Sequence, residues 1–113
     1  MQDCLFCKMI RGEIPVTKVY EDDDMMIIRD IDPKAKNHFL LFLKEHFRLL
    51  ADMTPEQAEK LGRALGKIPE LSGLLELDGG YRLVINQGDN AGQTVPHVHV
   101  HILSGQKMNW QPA

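Results

Sequence analysis

The sequence predicts an α+β domain, in which an antiparallel sheet of about five strands packs one long and one short helix on one face. Short apolar segments are joined by hairpin-length links, one longer stretch has amphipathic-helix spacing, and no repeated helical crossovers separate the strands. The chain has 113 residues, of which 43% are hydrophobic. It therefore fits a single domain, residues 1–113, with one core and a C-terminal tail at about 104–113.

The strands are predicted from short apolar runs bounded by turn residues. A short helix that follows Cys4 and ends near Gly12 precedes the first run. Turn residues separate the later apolar runs at three places: the acidic turn at 21–24, the pair Asp32 and Pro33, and the Gly-rich turn at 78–80. The predicted strands are residues 17–21, 25–29, 38–43, 81–86 and 95–103.

The long helix has a clear start. Thr54 is suited to the N-cap, Pro55 to the first helical position, and Gln57 to the reciprocal position of a capping box. Apolar residues at three- and four-residue spacing then predict one buried stripe, formed by Ala58, Leu61, Leu65 and Ile68. Pro69 predicts a kink or break before residues 71–77.

Charge and hydropathy argue against two classes of partner. Lys and Arg number 13 against 16 Asp plus Glu, and no basic cluster is interleaved with aromatic residues, so a nucleic acid polymer is not expected. No stretch approaches eighteen consecutive apolar residues and no secretory h-region is visible, so the chain is expected to be cytoplasmic, without a membrane partner.

Three of the five histidines alternate within the last predicted strand. Alternation places His97, His99 and His101 on one face of the strand, with the intervening apolar residues on the other. Exposed histidines could occur there by chance, but three in alternation favour a function. A single metal ion is a poor explanation, because the outer two would lie roughly 13 Å apart at about 3.3 Å per residue. A division of labour along a groove, with at most an end member on a metal, fits better.

Imidazole is suited to attack on phosphorus. Its neutral form is nucleophilic near neutral pH, and a neighbouring acceptor can fix the tautomer by binding the proton on the other ring nitrogen. The preceding loop, residues 88–94, offers flexible backbone and side-chain donors that can hold phosphate oxygens. A histidine of this row is therefore suited to be the nucleophile of a nucleotide hydrolase or transferase.

Residues 91–103 resemble the histidine-triad (HIT) signature, in which three histidines alternate with apolar residues. The resemblance extends to residues 6–15 and 29–40, and the segment from Leu103 to Trp110 is similar to the Hint branch. It implies a HIT-like sheet that pairs edge to edge in a homodimer. It also implies hydrolysis of purine nucleoside 5′-phosphoramidates of AMP-amine type through a covalent nucleotidyl-histidine intermediate.

The same resemblance implies roles for individual residues. His99 would be the nucleophile, His101 and His38 would flank it, and Thr94 would lie near the leaving group. Asp30 would accept the ribose hydroxyls. The other nucleotide-binding residues would be Asn86, Gly92 and Gln93 around the phosphate and Phe6, Ile14, Ile28 and Ile31 around the base. The chain departs from the pattern at Leu43, where many relatives have Pro, and around Pro69 and Ser72, where the family's helix usually continues.

Cys4 and Cys7 have the spacing of half a zinc site. A thioredoxin-like redox pair should lie in a βαβ unit, which the chain lacks. Similar HIT proteins with this pair add one histidine after a Lys-Glu pair and the first histidine of the triad. The resemblance therefore implies a structural Zn²⁺ site of Cys4, Cys7, His46 and His97, with two buried, unligated thiols as the alternative.

Several functions stay open at this stage. The leading one is a purine nucleoside phosphoramidase that needs no metal for catalysis. The alternatives are a nucleotide sensor or scaffold with negligible turnover and a dinucleoside polyphosphate hydrolase. A metal-dependent hydrolase with the histidine row as ligands is disfavoured, because few carboxylates lie near the row.

Overall fold

The computed structural model describes residues 4–109. The predicted α+β class is confirmed. The rest of the predicted tail, residues 110–113 with Trp110, lies outside the described residues. The elements are α1 (Leu5–Ile10), β1 (Lys18–Glu21), β2 (Met25–Arg29), β3 (Asn37–Leu43), α2 (Pro55–Lys67), α3 (Ser72–Leu75), β4 (Tyr81–Val84) and β5 (His99–Ser104).

The five strands form one antiparallel sheet in the order β1-β2-β3-β5-β4. The last strand in sequence, β5, therefore lies between β3 and β4. The register places Leu40 opposite His101 and Phe42 opposite His99. Because side chains alternate, His38 on β3 and both β5 histidines emerge from the same face of the sheet.

The two faces of the sheet bury different elements. α2 covers one face, where the core includes Ile27, Leu41 and Ile102. α1 packs on the opposite face through a second apolar cluster, so the expectation that both helices share one face is wrong. The residues of this second cluster are Cys4, Phe6, Cys7, Met26, Ile28 and Phe42.

α2 begins as predicted. The Thr54 hydroxyl accepts the Gln57 main-chain N–H at 3.2 Å, and the Gln57 side chain accepts the Thr54 main-chain N–H at 3.0 Å. The buried stripe differs from the prediction at two positions: Ala58 is exposed, and Ala64, which was not predicted, is buried. The predicted break is confirmed, since α2 ends at Lys67 and a 3₁₀ turn, Pro69–Leu71, leads into α3.

The last strand is shorter than predicted. Residues 95–97 form a bend, closed by the His97 N–H on the Val95 carbonyl at 2.8 Å. Pro96 lacks an N–H and cannot donate to a sheet ladder, so pairing starts only at His99. β4 likewise ends at Val84, two residues early. Within residues 4–109, no helix has the length and apolar character needed to cross a membrane.

Candidate active site and metal centre

A cavity of about 750 Å³ opens on the α1 side of the sheet. His99 and His101 line it from β5, and Leu40 lines it from β3. The other walls come from α1, the segment that follows it and the end of β2. These lining residues are Leu5, Phe6, Met9, Ile14, Pro15, Val16, Thr17, Ile28, Arg29, Asp30, Ile31, Thr94 and Val95. The result is a mostly apolar pocket with a few polar groups, as is usual for small-molecule sites.

His99 is held in one tautomer by the backbone. Its Nδ1 lies 2.7 Å from the His97 carbonyl oxygen. Because a carbonyl oxygen can only accept, Nδ1 carries the proton and Nε2 keeps its lone pair. His99 is only 5% exposed, and burial lowers its pKa below the ordinary value, so the ring is neutral near pH 7. A neutral imidazole with a free Nε2 can act as a nucleophile.

A second pair of histidines lies beside His99. His38 Nε2 and His101 Nδ1 are 2.9 Å apart, and Asp30 Oδ2 is 3.4 Å from His38 Nε2. Burial, with His99 and His38 nearby, lowers the pKa of His101 to about 4. Burial also lowers the pKa of His38, against the attraction of the Asp30 carboxylate. Both rings are therefore neutral at physiological pH.

Most of the sequence-predicted pocket residues meet at this cavity. Thr94 and Asp30 line it, together with the four apolar residues predicted for the base. Asn86, Gly92 and Gln93 do not line it. The Gln93 side chain is bonded within the protein: it accepts the Gly88 N–H at 2.8 Å and donates to the Arg48 carbonyl at 2.8 Å.

Some lining residues were not predicted. Leu5 and Met9, four residues apart on α1, follow the helical spacing that would have identified them. Leu40 alternates with His38 along β3, which was also a visible signal. Val16 and Val95 lie outside the strands and helices, where no periodicity marks them.

The four predicted metal ligands also meet. The ligand atoms of Cys4, Cys7, His46 and His97 all lie within 4.8 Å of one another, with three of these residues buried and His46 exposed. Cys4 Sγ is 3.3 Å from His97 Nδ1, and Cys7 Sγ is 3.3 Å from His46 Nδ1. Two sulfurs and two imidazole nitrogens form the donor set that tetrahedral zinc prefers.

The orientation of His97 suits a ligand. Its Nε2 donates to the Leu43 carbonyl oxygen at 2.8 Å, which leaves the Nδ1 lone pair directed at the thiols. Metal-binding histidines typically donate their second N–H in this way. Burial, with Cys4 beside it, raises the pKa of Cys7 to about 11, and burial lowers the pKa of His97 to about 4. A divalent cation would stabilise the thiolate that the protein alone disfavours.

The chain is similar to known proteins over most of its length. A family model described as the HIT domain matches residues 11–108. The protein HitA of Neisseria gonorrhoeae is 43% identical over 103 residues, covering 91% of this chain and 96% of that protein. A 14 kDa zinc-binding protein of Zea mays is 41% identical, with coverage of 96% and 86%. A crystal structure of a HIT family hydrolase from Legionella pneumophila has 40% identity and a TM-score of 0.91, covering 98% of this chain and 100% of that one.

Proposed function

Because the chain belongs to the HIT domain family, we propose that it hydrolyses purine nucleoside 5′-phosphoramidates of AMP-amine type through a nucleotidyl-histidine on His99. One observation carries the proposal: the His97 carbonyl holds the proton on His99 Nδ1, which leaves Nε2 unprotonated. The ring that carries this nitrogen lines the cavity. That arrangement prepares a nucleophile without a separate general base.

The proposed reaction has two displacements at phosphorus. In the first, His99 Nε2 forms a bond to phosphorus, the P–N bond of the substrate breaks, and its electron pair leaves with the amine, which takes up a proton. Thr94, which lines the cavity, would pass that proton from solvent. In the second, water attacks phosphorus and loses a proton to solvent, and the bond to His99 breaks with its electron pair returning to Nε2, which releases the nucleoside monophosphate.

Other residues of the cavity would bind the nucleotide. Asp30 Oδ1 already accepts the Asp32 N–H at 2.8 Å, which holds the carboxylate at the cavity wall where ribose hydroxyls can donate to it. The apolar wall formed by Phe6, Ile14, Ile28 and Ile31 would hold the purine. Gln93 would contribute to phosphate binding by shaping loop 88–94, since its side chain ties that loop to Arg48. Asn86 and Gly92 stay predicted neighbours of the phosphate.

The test is steady-state kinetics on an AMP-amine, with a dinucleoside polyphosphate and free AMP in parallel. We expect turnover of the phosphoramidate and a much lower kcat/KM for the polyphosphate. Preferred cleavage of the polyphosphate would replace the proposed substrate class. Binding of AMP with no turnover of either compound would make the protein a nucleotide sensor.

We also propose that Cys4, Cys7, His46 and His97 hold a structural Zn²⁺ ion. The donor set and the second hydrogen bond of His97 fit this ion, and the similar protein of Zea mays is named for zinc binding. The ion would supply a cross-link between the start of α1, the connection after β3 and the bend before β5. No step of the proposed reaction requires it.

A homodimer is proposed from the exposed edge strand β4. One side of β4 pairs with β5 and the other has no neighbour within the described sheet. Leu83 is 41% exposed and Tyr81 is 40% exposed on this strand. An exposed apolar edge is a natural site for pairing with a second copy.

We expect Leu83→Glu to convert a dimer to a monomer in sedimentation or light-scattering measurements at micromolar concentration. The charge would have to be buried at the pairing edge, which is unfavourable. Lys18→Glu on β1, the opposite edge of the sheet, is the matched control and should leave the mass unchanged. A wild-type monomer, or a dimer disrupted only by the β1 variant, would contradict pairing through β4.

A further inference from the structure

The hydrogen bond between His38 and His101 contains a single proton whose position the two rings alone do not decide. His38 Nε2 and His101 Nδ1 lie 2.9 Å apart, and either could be the donor. The answer determines which nitrogen of His101 carries a proton inside the cavity. It therefore determines whether His101 offers a donor or an acceptor to a bound ligand.

A main-chain amide decides the question. The Lys34 N–H lies 2.9 Å from His38 Nδ1. Because an amide N–H can only donate, His38 Nδ1 must keep its lone pair and the proton must be on Nε2. Asp30 Oδ2, 3.4 Å from Nε2, favours a proton on the same atom. His38 is then the donor to His101, and His101 Nδ1 is the acceptor.

We infer that the main-chain N–H of Lys34 is a positioning group that sets the tautomers of His38 and His101, so that His101 carries its proton on Nε2. Nothing in the proposed reaction assigns a role to Lys34. His99 has the opposite tautomer, with the proton on Nδ1. Two adjacent rings, whose centroids are 5.1 Å apart, thus differ in chemistry: His99 has a lone pair on Nε2 and His101 an N–H.

The loop between β2 and β3 holds this amide in place. The Asp30 N–H donates to the His38 carbonyl at 2.9 Å and closes the loop. The Asp32 N–H donates to Asp30 Oδ1 at 2.8 Å. Lys34 Nζ donates to the Asp32 carbonyl oxygen at 3.0 Å and to the Asp32 carboxylate at 2.8 Å. The two bonds made by Asp30 therefore hold the loop that carries the amide, and the Lys34 side chain adds only solvent-exposed contacts.

The same amide argues against a second metal site. Asp30, His38 and His101 bring three potential ligand atoms within 4.8 Å of one another. A cation on His38 Nε2 would require the lone pair there and a proton on Nδ1, facing the Lys34 N–H at 2.9 Å. Two donors would then oppose each other. His97 shows the contrasting arrangement, because its second nitrogen faces a carbonyl acceptor.

The catalytic consequence rests on the proposed function. A phosphoryl group attacked by His99 gains negative charge on its oxygens, and the N–H of His101 would donate to one of them. The tautomers themselves stand on geometry and can be measured without any turnover. Failure of the phosphoramidase proposal would leave the tautomer result unaffected.

The test is long-range ¹H–¹⁵N NMR of the imidazole rings in the ¹⁵N-labelled, zinc-loaded protein above neutral pH, where the low pKa values keep the rings neutral. We expect Nε2–H for His38 and His101 and Nδ1–H for His99. Lys34→Pro removes the amide proton and should lower the Nε2–H populations of His38 and His101, with His99 unchanged. Lys34→Ala keeps the amide and should match the wild type.

A second pair of variants serves if Lys34→Pro does not fold. His38→Gln keeps a side-chain donor for His101 and should preserve its Nε2–H tautomer, whereas His38→Asn is too short to reach His101 and should release it. A wild-type spectrum with Nδ1–H on His38 or His101 would overturn the inference. An unchanged His101 tautomer in both Lys34→Pro and His38→Asn would also overturn it.

Discussion

Replacing His99 with alanine should lower kcat for an AMP-amine by roughly 10⁴-fold or more, the usual scale for loss of a catalytic nucleophile. Its Nε2 is the atom that would bond to phosphorus. The neighbouring rings cannot substitute, because His101 Nδ1 is occupied by His38 and His97 Nδ1 faces the thiols. His99→Asn should lose activity to a similar extent. Steady-state kinetics with both variants measures the effect.

Binding and trapping experiments separate chemistry from folding in these variants. His99→Asn should bind AMP within a few-fold of the wild type, since the apolar wall and Asp30 are intact. Rapid acid-free quenching of wild-type turnover, followed by mass spectrometry, should find a nucleotidyl adduct on the peptide containing His99. Wild-type rates in either variant, or an adduct on another residue, would remove His99 from the reaction.

Removing zinc with a chelator should destabilise the protein strongly while leaving turnover possible at temperatures where the fold persists. Binding to the folded state alone contributes on the order of 4 kcal/mol when free Zn²⁺ is roughly a thousand times its Kd. For a domain of this size, a loss of that order lowers Tm by about 10 °C or more. The protein is prepared without a histidine tag. Metal analysis then measures its zinc content, and thermal denaturation with and without chelator measures the change in Tm.

A matched variant checks that the chelator acts through the proposed ligands. Cys7→Ser should contain little zinc, start with a lower Tm and show no further loss on chelation. Met9→Leu, on the same helix but outside the ligand set, should respond like the wild type. A wild type without near-stoichiometric zinc even after reconstitution would contradict the site. Abolished turnover in a folded, chelated protein would instead support metal-dependent hydrolysis.

The features of the fold that follow from local chemistry were predictable. The capping residues placed the start of α2 correctly, and Pro69 placed its end. The last strand was overextended because Val95 and His97 continue the alternating pattern, although Pro96 prevents ladder pairing. Spacing alone does not fix which side of the apolar stripe of α2 meets the sheet. The stripe meets it on the side of Ala64, so Ala58, on the other side, is exposed.

The site was predictable only in part, for a similar reason. Alternation identified His99 and His101, while His38 and His46 came from the resemblance, since neither has a local pattern that signals chemistry. Gln93 was expected near the phosphate, but whether an amide side chain faces a ligand or its own loop depends on tertiary contacts. The tautomers of His99 and His38 depend on single hydrogen bonds to main chain two and four residues away, and no sequence pattern encodes the geometry of those bonds.

The central position of β5 has a consequence for how the chain folds. β3 and β4 do not pair with each other. Both pair with β5, which follows them in the sequence and is synthesised after them. Contacts between β3 and β5 join residues about sixty positions apart, which makes the topology slow to form. The strand that completes the sheet carries His99 and His101. A chain that is being synthesised therefore completes its sheet and brings the two cavity-lining histidines into position in the same late step.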